Sequence, residues 1–450
     1  MPYSFSVFTY IGVANKTLAM KILNSPSLSA FGGMNFVLKF LKGYHFDNLF
    51  AQNLPTLKTQ STYTWSDIIF SLLSIYLCGG DCIEDLQTHL KSHFQDNPFL
   101  KMPSPDTVLK RMSELSEVNE LCRTKRGNVD HEYNTNSILE QLNIAVLKKL
   151  GVFASKELVL DYDNTIIFNE KSDSKMTYKR NPGYQPGVCT VNEEKVLYIE
   201  NRNGNSDAKS FQSGTLKRLF KLLEDNQVKQ AAHFRADAAS YQYDVIKLLD
   251  KEVKNFYIGC RNSYVEKYFS KVPKWVSMED VCHGTVEVGE VLVTPFQKQA
   301  KDEKGTPSQY RLIVKRKLKH DGQVDIFTRD AYEYRAILTN NFESGPAGIA
   351  QFYNHRGNME KQFDILKNDF GWGHMPFSTL NKNTVFLYLT AICRNLYCRV
   401  ITHFAERVKT LNSTDRVKKF LFRFVILPAR WISRSRQKQL RVYGKINFTP

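Results

Sequence analysis

Residues 157–168, ELVLDYDNTIIF, constrain the fold more than any other stretch of this chain. Leu158, Val159 and Leu160 precede two acids, and Ile166, Ile167 and Phe168 follow them, which is the pattern of a buried strand. Strand alternation puts Asp161 and Asp163 on one face. Two carboxylates inside an apolar strand are costly unless something neutralises them, and a divalent cation does that. A third acid falls in HFRADAAS, residues 233–240. Asp237 ends a short apolar run and precedes an amphipathic helix over 241–249. It therefore sits at the carboxyl end of a strand, where α/β sheets bind ligands. A helix cap accounts for an Asp at this position equally well.

The second informative stretch is YNHRGNMEKQFDILK, residues 353–367. Read as one helix, it gathers Tyr353, Arg356, Glu360 and Lys367 within an arc of roughly 60°. Such a face stays out of the core unless its charges are paired. Arg and Lys hold phosphate oxygens, Glu ligates Mg²⁺, and a Tyr hydroxyl donates to phosphate. A solvated face with i,i+4 ion pairs is the plainer account.

Taken together, Asp163 in an Asp-x-Thr strand, Asp237 before a helix, and Tyr353-x2-Arg356-x3-Glu360-x6-Lys367 resemble the DDE transposases of bacterial insertion sequences. The four-residue helix signature is that of their hairpin-forming, cut-and-paste branch, and within it the chain is most similar to insertion-sequence family thirteen-eighty. The resemblance runs from Ser104 to the C-terminus. It implies an α/β fold: a ribonuclease-H-like catalytic core with an inserted β-rich domain and a helical N-terminal DNA-binding region. It further implies that Asp163, Asp237 and Glu360 hold two Mg²⁺ ions, with Mn²⁺ able to substitute. Asp161 is the alternative ligand to Asp163, which is preferred because Asn164 and Thr165 follow it. Tyr353, Arg356 and Lys367 would position phosphates. The implied partners are double-stranded DNA, both terminal inverted repeats and target, and a second copy of the chain on that DNA, in the bacterial cytoplasm at the nucleoid. Two other readings remain: an inactive or domesticated DNA-binding protein, and a metal nuclease without strand transfer.

Composition agrees with a nucleic-acid partner. Lys+Arg 62 against Asp+Glu 45 leaves +17 over 450 residues, enough chain for two to three domains. From residue 415 onward, ten basic residues face Asp415 alone, a balance of 10 − 1 = +9 that reads as a DNA footprint. Arg434, Arg436 and Lys438 lie in it, interleaved with aromatics that mark a folded segment. A further basic cluster, Lys315, Arg316 and Lys317 with Lys319 and His320, is a candidate DNA contact. Trp275 is a candidate for stacking a displaced base, although packing accounts for it as well.

The expected division is 1–150 for the helical DNA-binding region, 151–262 and 336–410 for the catalytic core, 263–335 for the β-rich insertion, and 411–450 for the basic C-terminal segment. Ser104-Pro105 opens a capped helix bearing Lys110 and Arg111, the second element of a candidate helix-turn-helix. The run 171–187 is expected to be a loop at the site's edge. The apolar run 385–404 carries Arg394 and Arg399, against a membrane span, and the first residues lack the basic start of a signal peptide. Eight scattered cysteines are expected as thiols, and Cys78, Cys82, His89 and His93 are too closely spaced for a zinc finger.

Overall fold

The computed structural model describes residues 28–124, 129–281, 284–319, 324, 331–434 and 436–444, together with the strand pair Tyr10–Ile11 and Leu18–Ala19. Its centre is one sheet of eleven strands. In chain order these are β1 (Glu120–Arg123), β2 (Asp130–Asn134), β3 (Val159–Asn164), β4 (Gly187–Val191), β5 (Lys195–Arg202), β6 (Ala231–Ala236), β7 (Val253–Cys260), β8 (Val276–Asp280), β9 (Gly284–Val293), β10 (Tyr310–Leu318) and β11 (Tyr332–Thr339). Across the sheet they run β8-β9-β10-β11-β7-β6-β3-β4-β5-β2-β1. Strands β3, β6 and β7 are parallel to one another, while β3, β4 and β5 form an antiparallel meander.

Ten longer helices accompany the sheet: α1 (Gly33–Gly43), α2 (Phe46–Asn53), α3 (Trp65–Leu77), α4 (Pro105–Glu114), α5 (Ser137–Lys149), α6 (Gln212–Asp225), α7 (Tyr243–Glu252), α8 (Pro346–Asn354), α9 (Asn358–Asp369) and α10 (Leu380–Ala405). Their starts follow local chemistry. Thr64 and Asp67 close a reciprocal capping box before α3, Ser104 accepts from the Thr107 amide with Pro105 in the first turn of α4, and Asn136 accepts from the Leu139 amide before α5.

Alternation along β3 and β6 sorts the two faces. Leu160, Tyr162, Phe234 and Ala236 pack with Leu216, Leu219, Val245 and Ile246 of α6 and α7. The other face of the sheet carries Val188, Val196 and Ile199 against α10 and the N-terminal helices. Each such side chain, fully buried, contributes about 1.5–3 kcal/mol. Helix α10 is long and apolar enough to cross a membrane, but 94% of its apolar window is buried inside this core. Arg394, on that helix, bonds Gln362 and Cys398.

Two expectations need correction. The stretch expected as a separate insertion joins the central sheet, because β10 pairs along its length with β11, which in turn pairs with β7. Leu312 and Val314 of β10 continue the core face packed by α6 and α7, while Ile313 packs on the other face with Ile337 and with Ile349 of α8. The expected loop over 171–187 instead contributes two strands, Lys175–Met176 and Pro182–Tyr184, to a small sheet with Ile167–Phe168. The C-terminal segment forms a hairpin, β12 (Ala429–Arg434) and β13 (Gln437–Val442), docked on the first helical residues. Ser29 and Ala429 exchange backbone bonds, and the Trp431 indole donates to Asn35 at 2.9 Å.

Candidate active site

The strand acids converge because of register. Ala236 of β6 lies opposite Tyr162 of β3, so the next residue on each parallel strand is Asp237 and Asp163. Since Tyr162 and Ala236 face α6 and α7, Asp161, Asp163 and Arg235 turn to the opposite side, towards α8 and α9. Asp163 Oδ1 accepts from the Asn164 amide at 2.8 Å. Asp237 Oδ1 accepts from the Ala239 amide at 3.0 Å and caps a short 3₁₀ turn, so the capping role holds and leaves the second oxygen for other use. Burial, and then the negative charge of Asp237, push the Asp163 carboxyl up to about 6. Two acids crowded in this way fit a cation.

The segment bearing the third acid is not the single helix expected from its spacing. Tyr353 lies near the end of α8, Arg356 in a 3₁₀ turn at His355–Gly357, and Glu360 and Lys367 in α9. Three residues per turn in place of 3.6 advance each position by about 120°, which re-phases the face. Tyr353, Arg356 and Glu360 still meet at the strand ends. The Arg356 guanidinium donates from Nη1 to Asp163 Oδ2 at 3.1 Å and places Nη2 3.6 Å from Glu360 Oε1. Asp163 and Arg356 side chains are each 17% exposed, whereas Glu360 is 76% exposed. The Tyr353 hydroxyl donates to the Ala236 carbonyl at 3.2 Å, one residue before Asp237. This approach needs Gly259 on β7, where a Cβ would come within 2.4 Å of the Tyr353 oxygen.

Among the described residues, one set of three metal-ligating side chains has its ligand atoms within 4.8 Å of one another: Asp81, Cys82 and Asp85. There Asp85 accepts from the amides of Asp81 and Cys82, as a turn does. The three candidate acids are spread more widely, around the Arg356 guanidinium. Cys78, Cys82, His89 and His93 do not form such a group.

The family model described as transposase DDE domain group 1 matches residues 23–443. The chain belongs to this family of DDE transposases. No curated protein matches it. Among solved structures, the transposase is similar to a piggyBac transposase synaptic complex with hairpin DNA, at 9% identity over 89% of this chain and 82% of that one, with a TM-score of 0.41. It is also similar to the Mos1 transposase paired-end complex with left transposon end, at 13% identity over 49% and 76%, with a TM-score of 0.17. Both likenesses are too slight to bear on the site.

Within the transposase, the other expected site residues divide. Asp161 is 1% exposed, and both of its oxygens accept from Arg235, at 2.7 and 2.8 Å. Its charge is thus paired within the strands, whereas that of Asp163 is paired with Arg356 of the turn. Lys367 donates to the Ile166 carbonyl at 2.8 Å, pinning α9 to the segment that leaves Asp163. Burial, and then Lys179, hold its ammonium below the usual lysine range. Lys315 requires correction. It is buried against Asp280 at 2.8 Å and Asn354 at 2.9 Å, on the inward side of β10, and does not reach DNA there. Arg316 pairs with Glu287 and lies between the rings of Trp275 and Tyr332 at 4.1 and 4.3 Å, so Trp275 is a packing residue. Lys317 is half-buried and His320 lies outside the described residues. Arg434, Arg436 and Lys438 are exposed on the C-terminal hairpin, whereas Arg416 and Arg423 are tied to Asp364, Asp369 and Asp415.

Sequence reasoning missed Arg235. The signal was available: a lone Arg in an apolar strand must find a buried partner, and Asp161 in the adjoining strand is one. A cleft of about 1560 Å³ opens beyond Asp237, lined by Tyr241, Tyr243, Tyr264, Tyr268 and Phe296 among others, and none of the three acids borders it.

Proposed function

We propose that this chain is a metal-dependent DNA transposase of the cut-and-paste kind, with Asp163, Asp237 and Glu360 as its metal carboxylates. The observation that carries this reading is the register of β3 and β6, which sets Asp163 beside Asp237 while Arg356 links Asp163 to Glu360. The strand order β5-β4-β3-β6-β7 supports a ribonuclease-H-like core. Divalent ions, Mg²⁺ or Mn²⁺, suit an all-oxygen carboxylate set; bound there, they would activate a water or 3′-hydroxyl and stabilise the leaving oxygen. No covalent link between protein and DNA is needed.

The chain's own groups then have distinct tasks. Arg356 holds Asp163 and Glu360 together until the site is loaded, and is then free to grip a phosphate bidentately. Tyr353 braces the strand end before Asp237. Lys367 holds α9 in place and offers a positive charge near the exposed Lys179. The Tyr-Arg-Glu-Lys spacing supports assignment to the branch of insertion-sequence family thirteen-eighty. In that branch's scheme a nick at the element end frees a 3′-hydroxyl, which attacks the opposite strand to form a hairpin; the hairpin is reopened and the end joined to target DNA. Arg434, Arg436 and Lys438 supply sequence-independent affinity for the duplex, and two copies act on paired ends, at the nucleoid of the bacterial cytoplasm.

A supercoiled plasmid carrying the element's ends, incubated with the protein and Mg²⁺, tests this. Joined products support the transposase. Cut products alone mean a nuclease, and retardation without cutting means a binding protein.

A further inference from the structure

Arg235 is fully buried and makes four bonds to three separate parts of the chain. Nε and Nη2 hold both oxygens of Asp161 on β3. Nη2 also donates to Glu193 at 2.8 Å, in the turn between β4 and β5. Nη1 donates to the carbonyl of Phe352 at 2.7 Å, one residue before Tyr353, and the guanidinium lies over the Phe352 ring at 4.7 Å. Glu193 completes a loop of contacts: its carboxylate accepts from Asn358 at 2.8 Å, the first residue of α9, and lies 3.2 Å from His355. Glu193 holds a left-handed backbone, φ 68°, to make this reach.

The placement of these bonds is informative. Asp161 is two residues before Asp163, and Arg235 is two residues before Asp237, each on the same strand. Phe352 precedes the turn that carries Arg356, His355 opens it and Asn358 follows it. One guanidinium thus joins the strands bearing Asp163 and Asp237 to the near side of the turn that sets Glu360, and through Glu193 to its far side. We propose that Arg235 is the positioning residue of the catalytic centre, registering the α8–α9 turn against β3 and β6, with Asp161 and Glu193 fixing its orientation. Asp161 acts through Arg235 and not as a metal ligand. A lysine cannot replace it, because a single ammonium does not reproduce the planar fork that meets a carboxylate on two edges while reaching a carbonyl on a third.

This rests on the proposed function, and the test separates the two. Three variants of the full chain are made: Glu193→Gln, Arg235→Lys and Asp161→Asn. Glu193 is half-buried in a turn, so Glu193→Gln tests the latch where folding is least at risk. Hydrogen exchange is followed in metal-free protein, and cleavage of end DNA is measured across a Mg²⁺ titration alongside DNA affinity. Removing an outer partner of a metal-site group costs about 10–100-fold. The expected result for Glu193→Gln is faster exchange confined to residues 346–360, unchanged melting temperature and DNA affinity, and a rise of that order in the Mg²⁺ needed for half-maximal cleavage. Arg235→Lys should behave as Asp161→Asn does, or worse. Unchanged exchange at 346–360 in Glu193→Gln overturns the proposal, as does a loss of cleavage that matches a loss of folded protein. If the wild type does not cleave, the proposed function fails, while the exchange experiment still decides whether the latch exists.

Discussion

The two strand acids and the helix acid are held in opposite ways. Asp163 and Asp237 project from adjoining parallel strands at the centre of an eleven-stranded sheet, with Asp163 only 17% exposed. Glu360 is 76% exposed on the first turn of α9 and is linked to Asp163 by Arg356. Backbone hydrogen bonds set the strand pair, and moving either acid means breaking the sheet. Side-chain bonds set the helix acid, so its position can adjust when DNA and metal arrive. A site built this way has a fixed floor and an adjustable wall, and the two should respond differently to mutation.

The largest expected difference lies between activity and stability. Asp163→Asn, Asp237→Asn and Glu360→Gln should each reduce strand cleavage by more than the roughly 100-fold typical of outer partners of metal ligands. Their melting behaviour in chelator should diverge. Glu360→Gln, on the surface, should stay within about 0.5 kcal/mol of wild type. Asp163→Asn should melt higher than wild type at pH 7. Its carboxyl is raised to about 6 in the fold, above the free value, so the ionised form is held at a loss that is fully present at pH 7. The loss shrinks as pH falls below about 6, so the stability advantage of Asp163→Asn over wild type should narrow between pH 7 and 5. An Asp163→Asn protein that melts lower at pH 7 would show that Arg356 outweighs burial.

Next in size is Arg356→Ala. On labelled end DNA, hairpin and later products should fall by about 100-fold, the effect of losing one fixed donor to developing charge, while the first nick falls less. A uniform loss at every step would leave Arg356 as a strut of the fold.

Smaller still is Gly259→Ala. Its Cβ would meet the Tyr353 oxygen at 2.4 Å, with the ring carbon beyond at 3.5 Å. Overpacking of this kind costs about 1–3 kcal/mol in denaturant unfolding. Adding Tyr353→Phe removes the clashing atom, so the double variant should be more stable than Gly259→Ala alone. Additive losses would mean that Tyr353 is not seated against β7.

The smallest effect concerns the surface. Neutralising Arg434, Arg436 and Lys438 together should flatten the log–log salt dependence of DNA binding by about 2.7, at about 0.9 per phosphate contact, for specific and random DNA alike. A loss confined to the specific site would make them base readers.

Much of this was legible from the chain. The helix at Pro105–Glu114 was set by Ser104 and Pro105 at its start, and Asp163 and Asp237 by short apolar runs that end in an acid. What escaped was long-range. Nothing local tells β10 to join the core sheet and not an inserted domain, since the same Val-Ile-Leu alternation serves both. The 3₁₀ turn at His355–Gly357 breaks a helix that spacing alone would continue. Lys315 looked like part of a basic surface because sequence does not reveal which side of a strand Asp280 and Asn354 occupy.

The central claim is that three acids from two strands and one helix form one metal site. Anomalous diffraction from crystals of the protein with element-end DNA and Mn²⁺ tests it most directly. The prediction is manganese bound by Asp163, Asp237 and Glu360, with Arg356 swung from Asp163 onto a phosphate. Manganese bound without Glu360, or with Asp161 released from Arg235 to serve as a ligand, would contradict it.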